Sequence, residues 1–188
     1  MNEEDIDMII EMAQDGMRHS IDHLQKELVK IRTGKASPSM LGGLLVSYYG
    51  SPTPLNQVSN VSTSDARTLV IQPWEKSMLG PIEKAIFEAN LGVTPQNNGE
   101  IIIINIPPLT EERRKKLVKT AKALGEDSKV SIRNARREAI SEIKKEVKKG
   151  YPEDMGKNKE KGMEDLTHKY VDKVDKMIGA KEKDIMTI

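Results

Sequence analysis

The chain has 188 residues, with 30 Lys and Arg against 29 Asp and Glu and no cysteine, which leaves room for one or two domains with real cores. The absence of cysteine excludes disulfides, thiolate metal centres and thiol catalysis, and it fits a reducing cytoplasm. Acids from Glu3 to Asp15 leave no apolar leader core, so the mature chain is expected to begin at Met1; the uncharged run from Ala36 to Ser64 is broken by Pro38, Pro52, Pro54 and glycines, so no membrane span is expected.

In chain order, the first predicted element is a long amphipathic helix. Ile6, Ile10, Ala13, Met17, Ile21, Leu24, Leu28 and Ile31 recur every three or four residues, and acids crowd the first turn where the helix dipole favours them. From Ala36 to Asn105 the character changes: 8 of 70 residues are charged, against 51 of the other 118, and Tyr48, Tyr49, Trp74 and Phe87 all fall here. Short β-rich runs (Leu44 to Tyr49, Val58 to Ser62, Thr68 to Gln72, Ile101 to Ile106) alternate with turn clusters such as Gly50-Ser51-Pro52 and Asn97-Asn98-Gly99. Ser77 to Asn90 reads as one short helix with Ile82, Ala85, Ile86 and Phe87 as its apolar side.

A second long helix is predicted after Pro107-Pro108, with Thr110 placed to cap it ahead of Glu111 and Glu112. Leu117, Ala121, Leu124, Ile132, Ala135, Ala139, Ile143 and Val147 form its seam, and Gly150 followed by Pro152 stops it after roughly 60 Å. A third helix starts near Pro152 and buries Met163, Leu166, Tyr170, Val174 and Met177. Three narrow seams need one another, so the economical arrangement is an elongated three-helix bundle from 1–31 and 107–188, interrupted by a small mixed β/α domain at 35–104. The fold class is therefore α+β, with two connections, 32–34 and 105–106, acting as a limited hinge.

The chemistry-bearing signal is a stripe on the second long helix. Lys115, Lys119, Lys122, Lys129, Arg133 and Arg136, with Glu126 in the one remaining place, are spaced 4, 3, 4, 3, 4, 3 and share one side. Glu111 to Lys149 carries 14 Lys and Arg against 7 Asp and Glu, a net of +7, in a chain whose total is +1; the remainder sums to −6. Such asymmetry points to a surface that meets a polyanion such as RNA, and the competing reading is a solvated helix face. His19 and His23 are four apart, a spacing that can hold a metal with Asp15 or Asp22, but the seam turns them toward solvent and no third strong ligand is near in sequence; His168 stands alone. No metal or cofactor is expected. Neither a phosphate-cradling loop nor a nucleophile elbow is present, and no carboxylate pair stands out as catalytic.

Four stretches carry a family resemblance over essentially the whole chain: IRTGKASPSML from Ile31, YYGSPTPL from Tyr48, IPPLTEERRKKLVK from Ile106 and VSIRNARREA from Val130. In these the chain resembles the ribosome recycling factors. The resemblance implies an L-shaped two-domain factor that is not an enzyme and that, with elongation factor G and GTP hydrolysis, splits the post-termination ribosome and releases it from messenger RNA. It implies contact with large-subunit ribosomal RNA through Arg113 and Arg114 in TEERR and through Arg133, Arg136 and Arg137 in IRNARR, beside Lys129 of the stripe. Arginine suits such a role because its guanidinium pairs with phosphate bidentately and stacks on bases. Lys35 stands where many relatives carry arginine, so no contact is carried over to it. Arg32, Thr33 and Gly34 on one connection and Pro107 and Pro108 on the other are expected to set the angle between the arms, with Gly34→Ala a mild change that shifts that angle. The expected partners are the ribosome and elongation factor G, with no membrane, and the chain is expected to be a cytoplasmic monomer. Two other classes stay in view: a stationary RNA-binding or ribosome-silencing protein using the same stripe, and a metal-dependent hydrolase built on the acidic helices.

Overall fold

The computed structural model describes residues 3–187. Helix α1 is Glu3–Val29; then come strands β1 Leu45–Tyr48 and β2 Ser51–Pro54, the single-turn helix α2 Leu55–Val58, β3 Ser59–Asp65, β4 Thr68–Pro73, helix α3 Leu79–Glu88, β5 Pro95–Asn97, β6 Ile102–Asn105, and the long helices α4 Glu111–Lys148 and α5 Glu153–Met186. The chain is α+β and divides into two compact units, one running through Arg32 and resuming at Glu111, the other Thr33–Thr110.

The helical unit is built on α4. Along α1, Gly16 faces Ala135 and Ser20 meets Ser131, so residue numbers rise in α1 as they fall in α4, and Ile178 near the end of α5 lies over Gly125 in the first half of α4. Near the other end of α4, Val147 meets Gly156 of α5. Hence α1 and α5 both run antiparallel to α4. Ile6, Met17 and Leu24 of α1, Ile132 and Ile143 of α4, and Met163, Val174 and Ile185 of α5 are essentially inaccessible to solvent. At the turn from α4 to α5, Gly150 takes φ 112°, its N–H donates to the Val147 carbonyl at 3.1 Å, and the Tyr151 N–H donates to the Glu146 carbonyl at 3.1 Å. This pair of bonds closes the helix with a Schellman motif and drives the ring of Tyr151 into the core.

Small residues let α4 approach its neighbours. A Cβ on Gly125 would lie 2.6 Å from Cγ1 of Ile178, and one on Gly156 would lie 2.6 Å from Cγ2 of Val147. On the α1 side, the Ser20 and Ser131 hydroxyls meet at 2.8 Å, and Ala135 faces Gly16.

The second unit is a four-stranded antiparallel sheet in the order β3-β4-β6-β5, with the hairpin β1-β2 and helix α3 supplying the remaining core. Leu69 and Ile71 of β4 alternate with outward residues, as do Ile102 and Ile104 of β6, so one face of the pleat is buried against Ile82 and Ile86 of α3. Several details depart from the sequence expectation. Ser51–Pro54 pairs with β1 despite its two prolines, because this two-stranded ribbon asks few N–H groups of them. The hairpin turns on Tyr49 and Gly50, both at positive φ, as a two-residue turn of right-handed twist requires. The predicted helix over 77–90 is a 3-10 turn at Lys76–Met78 followed by α3, and Phe87 is 54% exposed; Met78 and Leu79 fill the core where Phe87 was expected.

Gly125 and Gly162 both lie inside long helices yet are expected to respond to alanine with opposite signs. Gly162→Ala has open space and should stabilise by about 0.5–1 kcal/mol through lower chain entropy. Gly125→Ala should destabilise by about 1–3 kcal/mol, since Ile178 must move. Denaturant unfolding of the two variants checks this, and a stabilising Gly125→Ala would refute the close α4–α5 approach.

Candidate nucleic-acid interface

At about 100° per residue, α4 turns an arc of roughly a third of its circumference outward, away from both neighbours. Lys115, Lys119, Lys122, Arg133 and Arg137 are exposed on or beside this arc, whereas Arg136 is half-buried and Lys129 lies on the α5 flank with 16% of its side chain exposed. The stripe is therefore two populations. On the flank, Lys122 reaches Glu182 of α5 at 3.7 Å, and Lys129 pairs with Asp175 of α5 and with Glu126 at 3.3 Å. The hydrogen bond that Lys129 donates to Asp175 raises the pKa of its ammonium above the ordinary value, against the opposing effect of burial and with help from Glu126. On the arc, Lys115 has only the exposed partner Glu111 at 3.5 Å, while Lys119, Arg133 and Arg137 have no ion-pair partner among the described residues. Unmatched cations on a helix fixed by its seam are positioned to accept phosphate without first breaking an internal pair.

The five arginines singled out in the sequence do not share one face. Arg113 and Arg114 begin α4, about 30 Å along the axis from Arg133, and Arg113 lies roughly 160° around the helix from Arg133. Arg114 turns inward, its Nη1 donating to the Met186 carbonyl at 3.3 Å, so it satisfies an orphan acceptor at the end of α5. Arg136 keeps its Nε buried with no hydrogen-bond partner, which leaves the outer edge of its guanidinium as the part that can reach a ligand. Arg133, Arg136 and Arg137 are thus brought together, and Arg113 and Arg114 are not part of that group. In the other direction the stripe extends further than its first six cations. Lys144 and Lys148 continue the same three-or-four spacing from Arg137 through Ile140 and are exposed on the arc.

The connections also differ from expectation. Residues 105–106 belong to the sheet rather than to a loose connection: Asn105 pairs with Thr68, and Ile106 is buried with its N–H on the Arg67 carbonyl at 2.7 Å. On the entry side, the Ala36 N–H donates to the neighbouring Ala66 carbonyl at 2.7 Å. Both ends of the second unit are thereby held by consecutive residues of one turn, itself closed by the Arg67 N–H on Asp65 Oδ1 at 2.9 Å. Gly34 takes φ 76°, and a Cβ there would come within 2.9 Å of Leu109 Cγ, so Gly34→Ala is not a mild change. It forces a left-handed alanine into a filled position.

His19 and His23 are exposed and line a cavity with Glu27 and Asp127; among the described residues no group of three or more His, Cys, Asp or Glu is arranged to hold a metal ion. No described helix is long and apolar enough to cross a membrane.

The two populations on α4 should separate by mutation. Lys129→Met is expected to cost about 1 kcal/mol of stability, whereas Arg133→Ala should stay within about 0.5 kcal/mol. Because the Lys129 pKa is raised in the folded state, its contribution is fully present below the ordinary value and is lost as pH rises through the elevated one. The stability gap between the parent and Lys129→Met should therefore hold from neutral pH to about 10 and close above that. Urea titrations across this range check the sign.

Comparison with known proteins agrees with the fold and the motifs. The family model described as ribosome recycling factor matches residues 24–186. A ribosome-recycling factor of Flavobacterium johnsoniae is 54% identical over 185 residues, covering 98% of this chain and 99% of that one. That of Porphyromonas gingivalis is 49% identical over 98% of this chain and 100% of its own length. Among solved structures, the solution structure of a ribosome recycling factor matches with a TM-score of 0.79 at 36% identity, covering 100% of both chains. A second match, with a TM-score of 0.63 at 40% identity over 97% of this chain and 99% of that one, comes from models of the T. thermophilus ribosome recycling factor and the E. coli elongation factor G bound to the E. coli post-termination complex. With a family model spanning most of its length and relatives about half identical from end to end, the chain belongs to the ribosome recycling factor family.

Proposed function

We propose that this chain dissociates the post-termination ribosome together with elongation factor G and GTP hydrolysis, the helical unit resting on large-subunit ribosomal RNA through the outer arc of α4. The observation that carries the assignment of the surface is the group Arg133, Arg136 and Arg137, flanked by Lys119, Lys144 and Lys148. Arg133 and Arg137 are exposed on or beside the outer arc with half-buried Arg136 next to them, and none of the three has an ion pair among the described residues like those that occupy Lys122 and Lys129. Guanidinium groups at this spacing suit phosphates and exposed bases of folded RNA. Arg113 forms a second, separate contact, and Arg114 and Lys129 act mainly by fixing α5 against α4.

In this reading the chain is a mechanical factor, not a catalyst: GTP hydrolysis belongs to elongation factor G. Displacement reaches the helical unit through Arg32, Thr33, Gly34, Pro107 and Pro108. Elongation factor G acts on the second unit, whose sparse charge makes it a poor competitor for RNA. The protein works as a cytoplasmic monomer.

Light scattering of purified post-termination ribosomes with elongation factor G and GTP tests the proposal. The parent chain should split subunits only when both are present. The double change Arg133→Glu and Arg137→Glu should weaken ribosome binding by about tenfold or more while leaving the unfolding midpoint nearly unchanged. Ribosome binding without splitting would instead identify a stationary binding protein, and unchanged affinity of the double variant would move the RNA contact off this arc.

A further inference from the structure

The valley between α1 and α4 has the opposite chemistry to the outer arc. One cavity there, of about 230 Å³, is bounded by Ile9, Met12, Gly16, Ala135, Glu138 and Glu142. Met12 is 68% exposed and its neighbour Met8 is 62% exposed, an unusual amount of flexible apolar surface for a charged bundle. Further along the same valley a second cavity, of about 200 Å³, is bounded in part by Glu27, Asp127, His19 and His23. No lysine or arginine lines either cavity. Glu27 is matched at 2.8 Å by Lys30, just past the end of α1, and Glu142 at 2.6 Å by Lys145 on α4. Glu138 and Asp127, one at each cavity, have no ion-pair partner among the described residues.

The valley exists because small residues set the α1–α4 approach. Gly16, Ser20, Ala135 and Ser131 bring the backbones close but leave unfilled depth between the larger side chains that flank them. Glu138 and Asp127 lie about 16 Å apart along α4, about three helical turns. RNA is disfavoured by these carboxylates.

We propose that this valley is a docking groove for a basic protein segment that places an apolar side chain, such as leucine or methionine, against Met12 while its lysines or arginines meet Glu138 and Asp127. The pairing is complementary in both charge and polarity, and methionine surfaces adapt to varied apolar partners. It goes beyond the RNA contact and does not depend on it, since a different side of α4 is used.

The test uses the full chain, labelled at methionine and alanine methyls and followed by NMR. The probe is a short helical lysine–leucine peptide with its leucines on one face; a lysine–serine peptide of equal charge and a single-stranded RNA oligonucleotide serve as comparators. Saturable shifts at Met12, Ala135 and Ala139 with the lysine–leucine peptide are expected. Met12→Lys, a change at an exposed position, should weaken binding about tenfold or more. Glu138→Lys with Asp127→Lys should weaken it as well, with the methyl spectrum otherwise preserved. Equal shifts with the lysine–serine peptide would overturn the apolar anchor, and preferential shifts with RNA would overturn the choice of partner. Concentration-dependent self-association, measured by sedimentation and abolished by Met12→Lys, would assign the groove to a second copy and overturn the proposal.

Discussion

The close approach of α5 to α4 at Gly125 is the constraint on which the rest of the helical unit depends. With no Cβ at this position, Ile178 sits directly over the α4 backbone, and Gly156 permits the same for Val147 at the other end. Close packing concentrates the apolar contact of α4 into narrow tracts, so a helix with 13 Lys and Arg against 7 Asp and Glu, a net of +6, can bury a complete seam and still leave an arc for cations. Where that arc meets the α5 flank, the geometry brings carboxylates within reach, and Lys122 and Lys129 are drawn into interhelical pairs. Farther around, no carboxylate among the described residues pairs with Arg133 or Arg137.

Much of this is legible in the sequence, because helical seams are periodic and local. Ile6 through Ile31 and Met163 through Val174 face inward as their spacing requires, and α4 begins at Glu111 and stops before Gly150. The second unit is less completely legible. A proline-containing strand such as Ser51–Pro54 carries the residue signature of a turn, and three residues at Pro95–Asn97 are too few to show any alternation. Phe87 illustrates a different limit: on a short helix, one apolar residue more than the face can hold must point outward, and periodicity alone does not say which.

The site divides along the same line. Spacing places the cations on one side of α4 but does not say where α5 lies, so Lys129 counts as a surface cation although its partner is Asp175, and Arg114 although its partner is the end of α5. Lys144 and Lys148 are within reach of the spacing argument, yet a stripe followed only to Arg136 omits them. The sign of φ at Gly34 and the shared anchoring of Ala36 and Ile106 on one turn depend on residues distant in sequence, and no local pattern encodes them.

The central claim is that exposed, unmatched cations on α4 contact RNA phosphate while matched ones hold the bundle. It is tested most directly by the salt dependence of ribosome affinity. The slope of log affinity against log salt counts the counterions released when phosphates are neutralised. Replacing Arg133 or Arg137 by alanine should flatten that slope by about 0.7–0.9 for each phosphate no longer neutralised, and replacing Lys129 should leave it unchanged. Equal flattening for all three, or none for the two arginines, would contradict the division of α4 into a binding arc and a structural flank.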